Sequence, residues 1–161
     1  MSEPEPIHPA RFGVEGYLEP GFHHWNTASI GFHFVEQMPH STTRSVLWKG
    51  FAELQACFAA LGLTVEHWID GSFTTMKADP RDIDVASFFD PDQVAELTEA
   101  HQRMLRAYVS GSITRNICHC DSYFAMKVPE DHPLREEFET AYNTGWRNSA
   151  VTATTCPRES W

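Results

Sequence analysis

Asp82 and Asp84 are separated by one isoleucine, so on a β-strand both carboxylates leave from the same face while Ile83 and Val85 turn into the core. Two like charges about 4 Å apart repel by roughly 1–4 kcal/mol, depending on the local dielectric. A bridging divalent cation relieves that repulsion, and an all-oxygen donor set favours Mg2+ or Mn2+ over zinc. A third acid, Asp121 in Cys120-Asp121-Ser122, is expected on a neighbouring strand. Three carboxylates meeting at one place can hold two ions for in-line phosphoryl or nucleotidyl transfer.

Gly71-Ser72 follows the preceding strand. Glycine lets the backbone approach a phosphate, and the serine hydroxyl with the following N–H groups can donate to its oxygens. Lys77 adds a positive charge for a triphosphate. Taken singly, an Asp-x-Asp is ordinarily a solvated turn and a Gly-Ser ordinarily only a turn. Their order on successive strands makes the combination more specific.

Other reactive side chains have plainer readings. Cys118, His119 and Cys120 suggest zinc, but on a strand the two cysteines share one face and the histidine the other, and no second paired cluster lies nearby. Ordinary buried thiols are expected, with Cys57 inside an apolar helical pattern. Tyr123 and His119 fall on the strand face of Asp121; packing is the expected role of Tyr123, and a nucleotide-accepting hydroxyl the bolder one. His8, His23, His24, His33 and His40 have no ligand-like spacing.

These residues need elements to position them. Ser41-Thr42-Thr43 and Gly62 bracket a helix whose apolar stripe is Val46, Leu47, Phe51, Leu54, Phe58 and Leu61. A strand over Leu63–Ile69 leads into Asp70-Gly71-Ser72, a polar connection over Phe73–Arg81 follows, and a second strand covers Asp82–Phe89. Asp90-Pro91 opens a helix ending at Gly111, with Val94, Leu97, His101, Met104, Leu105 and Tyr108 as its buried stripe. Ile117–Val128 is a third strand region, and Pro133 starts a last helix ending at Gly145. Residues 1–40 are expected to form an irregular wrapping arm, and 146–161 a tail without period. This order predicts an α+β fold, a small mixed sheet flanked by helices, in one domain over 1–161.

Composition sets outer bounds. The 161 residues are 42% hydrophobic and 12% aromatic, enough for a folded core. The formal charge of −10, with no cluster of basic residues, argues against non-specific duplex nucleic-acid binding. The acidic, Pro-rich start and the absence of a long apolar run predict no signal peptide and no membrane insertion, hence a cytoplasmic protein.

Trp68 to Phe89, WIDGSFTTMKADPRDIDVASFF, resembles the nucleotidyltransferase signature of the DNA polymerase β superfamily: an apolar strand, Gly-Ser, a spacer, Asp-x-Asp on a second strand, and a later acid on another. It is more closely similar to small stand-alone bacterial members with a GSF…K…P-x-DIDV core, preceded by an L-x-PG-x-H segment and a helix-forming arginine, here Leu18, Pro20-Gly21, His23 and Arg44. The resemblance spans about Leu18 to Val128 and implies the minimal nucleotidyltransferase fold. It also implies that Asp82, Asp84 and Asp121 are the catalytic and metal-binding acids, and that Gly71 and Ser72 hold the triphosphate.

The expected activity is therefore Mg2+-dependent transfer of a nucleoside monophosphate from ATP or a dNTP to a hydroxyl on a partner protein or an oligonucleotide. Stand-alone members often belong to toxin–antitoxin or phage-defence pairs, which implies a partner effector or toxin encoded nearby. Two alternatives are an antitoxin or regulator with the same fold that acts mainly by binding its effector, and an unrelated metal-binding or hydrolytic domain. Three converging acids favour the enzyme, because a binding module has no need of them.

Overall fold

The computed structural model of the protein describes residues 9–127, 129 and 150–155. Five strands form one mixed sheet: β1 (Phe22–His24), β2 (Val65–Asp70), β3 (Ile83–Phe89), β4 (Cys120–Met126) and β5 (Ala150–Thr155). Their spatial order is β1-β5-β2-β3-β4. The β1–β5 and β3–β4 pairs are parallel, while β5–β2 and β2–β3 are antiparallel. Helices α1 (Thr27–Gly31), α2 (Arg44–Ala60), α3 (Pro91–Ala95), α4 (Glu99–Tyr108) and α5 (Gly111–Cys118) complete a mixed α+β architecture. Among the described residues no helix is long and apolar enough to cross a membrane.

Alternation along the strands separates two sheet faces. Val65 and Ile69 of β2 and Ile83, Val85 and Phe89 of β3 share one core with Leu47, Phe51, Leu54 and Phe58 of α2. The rings of Phe58 and Phe89 meet edge to face at 5.2 Å. His67 takes an inward position among them, with Nδ1 3.0 Å from the Ser87 hydroxyl on β3; burial pushes its imidazole down to about 3 and keeps it neutral. Trp68, Ala86 and Phe88 form a smaller cluster with Ala125 on the other face, which also carries the acids described below.

Helix α2 begins where the spacing predicts. The Ser41 hydroxyl accepts the Arg44 N–H at 3.2 Å, and Asp79 accepts the Thr42 N–H at 2.7 Å. The helix ends before Gly62, whose φ of +76° suits the left-handed stop.

Four expectations are corrected. Residues 1–40 are not an irregular arm throughout: β1, α1 and a π-helical segment at Phe32–Glu36 lie there, and Leu18, Trp25, Ile30 and Phe34 enter the main core. The tail contributes β5, between β1 and β2; its Val and Thr residues suit a strand, but so many threonines hide the apolar alternation. The helix expected from Asp90 to Gly111 is two, because Thr98 caps a new start by accepting the His101 N–H at 3.2 Å. Of its expected stripe Leu105 is buried, whereas His101 and Met104 are exposed. Finally, Gly111 starts α5 rather than ending a helix, so Cys118 is helical and His119 is a left-handed cap with φ of 58°. The strand begins only at Cys120, and His119 does not share the Asp121 face. The helix expected from Pro133 to Gly145 lies outside the described residues.

Arg44, the first residue of α2, is buried and fixes the chain after β2. Its guanidinium donates to the carbonyls of Phe34 (3.0 Å), Phe73 (2.7 Å), Thr75 (2.6 Å) and Lys77 (2.7 Å). Burial lowers its pKa to about 10, with Asp79 opposing, so it stays charged at neutral pH. Arg44→Met keeps the stem packing but leaves these carbonyls without their donor, at about 1–3 kcal/mol for each one that stays dry. The expected loss is at least about 3 kcal/mol, read as a lower midpoint in urea denaturation; an unchanged midpoint would refute this role.

Candidate active site

Strand register places three acids side by side. Antiparallel pairing sets Asp70, the last residue of β2, opposite Asp84 on β3, and parallel pairing sets Asp84 opposite Asp121 on β4. Residues directly opposite one another project from the same face, so the three carboxylates form a row at one end of the sheet. Asp82, just ahead of β3, joins them through Arg115 of α5: its Oδ2 lies 3.0 Å from Arg115 Nε, and Arg115 Nη2 pairs with Oδ2 of Asp121. The structure thus brings Asp82, Asp84 and Asp121 together and adds two residues that sequence reasoning missed, Asp70 and Arg115.

The row is short of positive charge. Burial and the charges of Asp82, Asp121 and Asp70, opposed in part by the charge of Arg115, push the Asp84 carboxyl up to about 6. Burial also raises Asp70, opposed by the Gly71 N–H. Among the described residues Asp84 makes no side-chain hydrogen bond or ion pair. Asp121, with a side chain only 6% exposed, is paired with Arg115 and also accepts the Tyr123 hydroxyl at 2.9 Å. That hydrogen bond raises the Tyr123 pKa and keeps the phenol a neutral donor.

Two glycines permit this crowding. Gly71 has φ of +75°, and a Cβ there would run into the Asp84 carboxylate. A Cβ at Gly111 would run into the Asp121 carboxylate, so glycine lets the first turn of α5 approach β4. Gly71 and Ser72 begin a 3-10 turn, Gly71–Thr74. This turn lines a cleft of about 690 Å³ whose walls include Glu15, Tyr17, Asp70 and Lys77. The N-terminal segment closes one side, where Gly16 accepts the Met76 N–H at 2.8 Å and Tyr17 bridges to Thr75. Gly71, Ser72 and Lys77 therefore share one cleft, with the Lys77 side chain at its exposed edge.

As the side chains stand, no group of three or more His, Cys, Asp or Glu among the described residues is arranged to hold a metal ion. Arg115 lies between Asp82 and Asp121. The donor chemistry nevertheless fits a hard divalent cation, since Asp82, Asp84 and Asp121 offer only carboxylate oxygens, Arg115 pairs with two of these acids, and Asp84 forms no ion pair of its own among the described residues. In the Cys-His-Cys run, Cys118 Sγ donates to the Thr114 carbonyl at 3.2 Å, and the His119 carbonyl accepts the Ile83 N–H at 3.0 Å. Asp70 was detectable from the two-residue alternation of β2. Arg115 is hidden in the sequence because Gly111 reads as a helix stop, whereas it begins α5.

A family model described as "Family of unknown function (DUF6932)" matches residues 10–153. No curated protein and no solved structure matches the chain.

Asp84 gives a pH prediction whose sign follows from its raised pKa. Above pH 6 the folded protein carries this carboxylate ionised against its neighbours; below pH 6 the carboxyl takes up a proton and the repulsion fades. Asp84→Asn is therefore expected to raise the melting temperature of metal-free protein at pH 8, with the gain vanishing as pH falls through 6 towards 4. A gain independent of pH would show that charge is not the cause.

Proposed function

The chain belongs to the DUF6932 family, and we propose that it is a nucleotidyltransferase with the minimal fold of the DNA polymerase β-like superfamily. In this reading a nucleoside monophosphate passes from ATP or a dNTP to a hydroxyl acceptor and pyrophosphate leaves. The observation that carries it is the row Asp70, Asp84 and Asp121 across three adjacent strands, with Asp82 beside it and the Gly71-Ser72 turn against Asp84. Nothing in folding alone favours stacking like charges across neighbouring strands.

Asp82, Asp84 and Asp121 are the residues that would hold Mg2+ or Mn2+, which when bound supplies charge neutralisation and polarisation of phosphoryl oxygens. The chain's own part is to bind and orient. The missing Cβ of Gly71 lets its backbone lie against the Asp84 carboxylate, which keeps the turn beside the acids, and the Ser72 hydroxyl can donate to phosphate oxygens. Lys77 offers a positive charge at the edge of the same cleft. Arg44 holds the carbonyls of Phe73, Thr75 and Lys77, so this segment is set before substrate arrives. Asp121, oriented by the Tyr123 hydroxyl, would help to take the proton of an acceptor hydroxyl. The acceptor, a partner protein or an oligonucleotide, and a nearby-encoded effector are drawn from the sequence resemblance alone.

Incubation with Mg2+ and each α-labelled nucleotide in a bacterial extract, as a source of acceptors, tests the activity through pyrophosphate release and transfer of label. Replacing Asp82 and Asp84 together by alanine is expected to lower both by more than about 100-fold, since even the outer partners of metal ligands are worth 10–100-fold. Equal product from the two proteins would sink the reading.

A further inference from the structure

We propose, resting on the reading above, that Arg115 is a resident counter-ion that a divalent cation must displace from Asp82 and Asp121, and that this residue therefore sets the affinity of the site for the cation. A single guanidinium contacts both carboxylates: Nε is 3.0 Å from Asp82 Oδ2, and Nη2 pairs with Asp121 Oδ2. Those two acids come from separate stretches, one ahead of β3 and one on β4. One oxygen of Asp82 and one of Asp121 are thus already engaged, and as the side chains stand no group of three donors among the described residues is arranged to hold a metal ion.

The surroundings let the guanidinium leave. The Arg115 side chain is 50% exposed on α5, so its head can swing into solvent without opening the core. Asp121 stays oriented when it does, because the Tyr123 hydroxyl donates to the same Oδ2 at 2.9 Å. Asp84 makes no ion pair with the guanidinium, so a small ion that draws Asp82, Asp84 and Asp121 together can satisfy one more carboxylate than Arg115 does. Arg44 provides the contrast: its buried guanidinium, held by four carbonyls, has no such exit.

Arginine and cation compete for the same oxygens, so removing the arginine must tighten cation binding. Partly exposed ion pairs of this type are modest in strength, and loss of two predicts Arg115→Gln to bind Mg2+ or Mn2+ roughly 3- to 30-fold more tightly. Arg115→Lys keeps the charge without the planar fork and is expected to fall between glutamine and wild type. The test is a titration of each purified protein with Mg2+ alone and Mn2+ alone, followed by calorimetry and by the rise in melting temperature. Arg115→Gln should also melt lower than wild type in a chelator and regain the difference with Mg2+. If wild type binds the cation, Asp84→Asn does not, and Arg115→Gln matches wild type, the counter-ion inference is overturned while the nucleotidyltransferase reading stands. If neither wild type nor Arg115→Gln binds either cation, both fall.

Discussion

A charged guanidinium held inside the protein by backbone carbonyls is the constraint on which the rest of this site depends. The chain between β2 and β3 runs mostly outside any ladder of regular structure, so its carbonyls need partners from elsewhere. Arg44 meets three of them at Phe73, Thr75 and Lys77, and ties them to Phe34 near the N-terminus. A planar fork with several donors can do this from one position, whereas a lysine ammonium cannot span the same spread. The dependence is mutual. Asp79, in the same connection, accepts the Thr42 N–H and the Ser41 and Thr42 hydroxyls, so the loop that α2 anchors also helps to start α2.

Once that connection is fixed, strand register does the rest, and it does so against electrostatics. Opposite neighbours in a sheet normally avoid like charge. Here Asp70, Asp84 and Asp121 are opposite neighbours in succession, and both Asp70 and Asp84 have raised pKa values in consequence of burial. The cohesion that tolerates this lies on the other face, where Phe51 and Phe58 of α2 pack on Val85 and Phe89 among the buried apolar residues. The two faces are coupled by the pleat: the strand segment that buries Ile83 and Val85 cannot do so without presenting Asp84 to the acid row.

The parts of this arrangement legible in the sequence are those where one period dominates. The helix from Arg44 to Ala60 has a clear apolar stripe and a glycine stop, and β2 and β3 have inward Val, Ile and Phe at alternate positions. That Asp82 and Asp84 share a face is legible because side-chain parity on a strand needs no tertiary knowledge, whereas Asp121, which meets them through β3–β4 pairing, is linked to them in the sequence by the family resemblance. What stayed hidden depends on pairing between distant segments. Nothing local in Ala150–Thr155 reveals that it fits between β1 and β2. The short α5 is equally obscure: it starts at a glycine, which reads as a breaker, and Gly111 is needed there because of Asp121, ten positions away in the chain. Asp70 is inconspicuous in the sequence because it borders a turn, where aspartate is common.

The two arginines show how the same side chain supports opposite behaviours. Arg44 bonds to carbonyls, which carry no net charge and cannot recruit another cation in its place without rebuilding the loop. Arg115 bonds to carboxylates at a half-exposed position, where any cation able to reach the same oxygens is a competitor. Which cation wins turns on Asp84. The guanidinium is planar and committed to Asp82 and Asp121, so it offsets only part of what burial and the neighbouring carboxylates impose on Asp84. A compact divalent ion carries twice the charge and accepts oxygens from several directions, so it can use the carboxylate that the guanidinium cannot. In the proposed reading, the acid at the centre of the row is therefore what would give a divalent cation a further advantage over the arginine, beyond the pair of oxygens for which the two would compete.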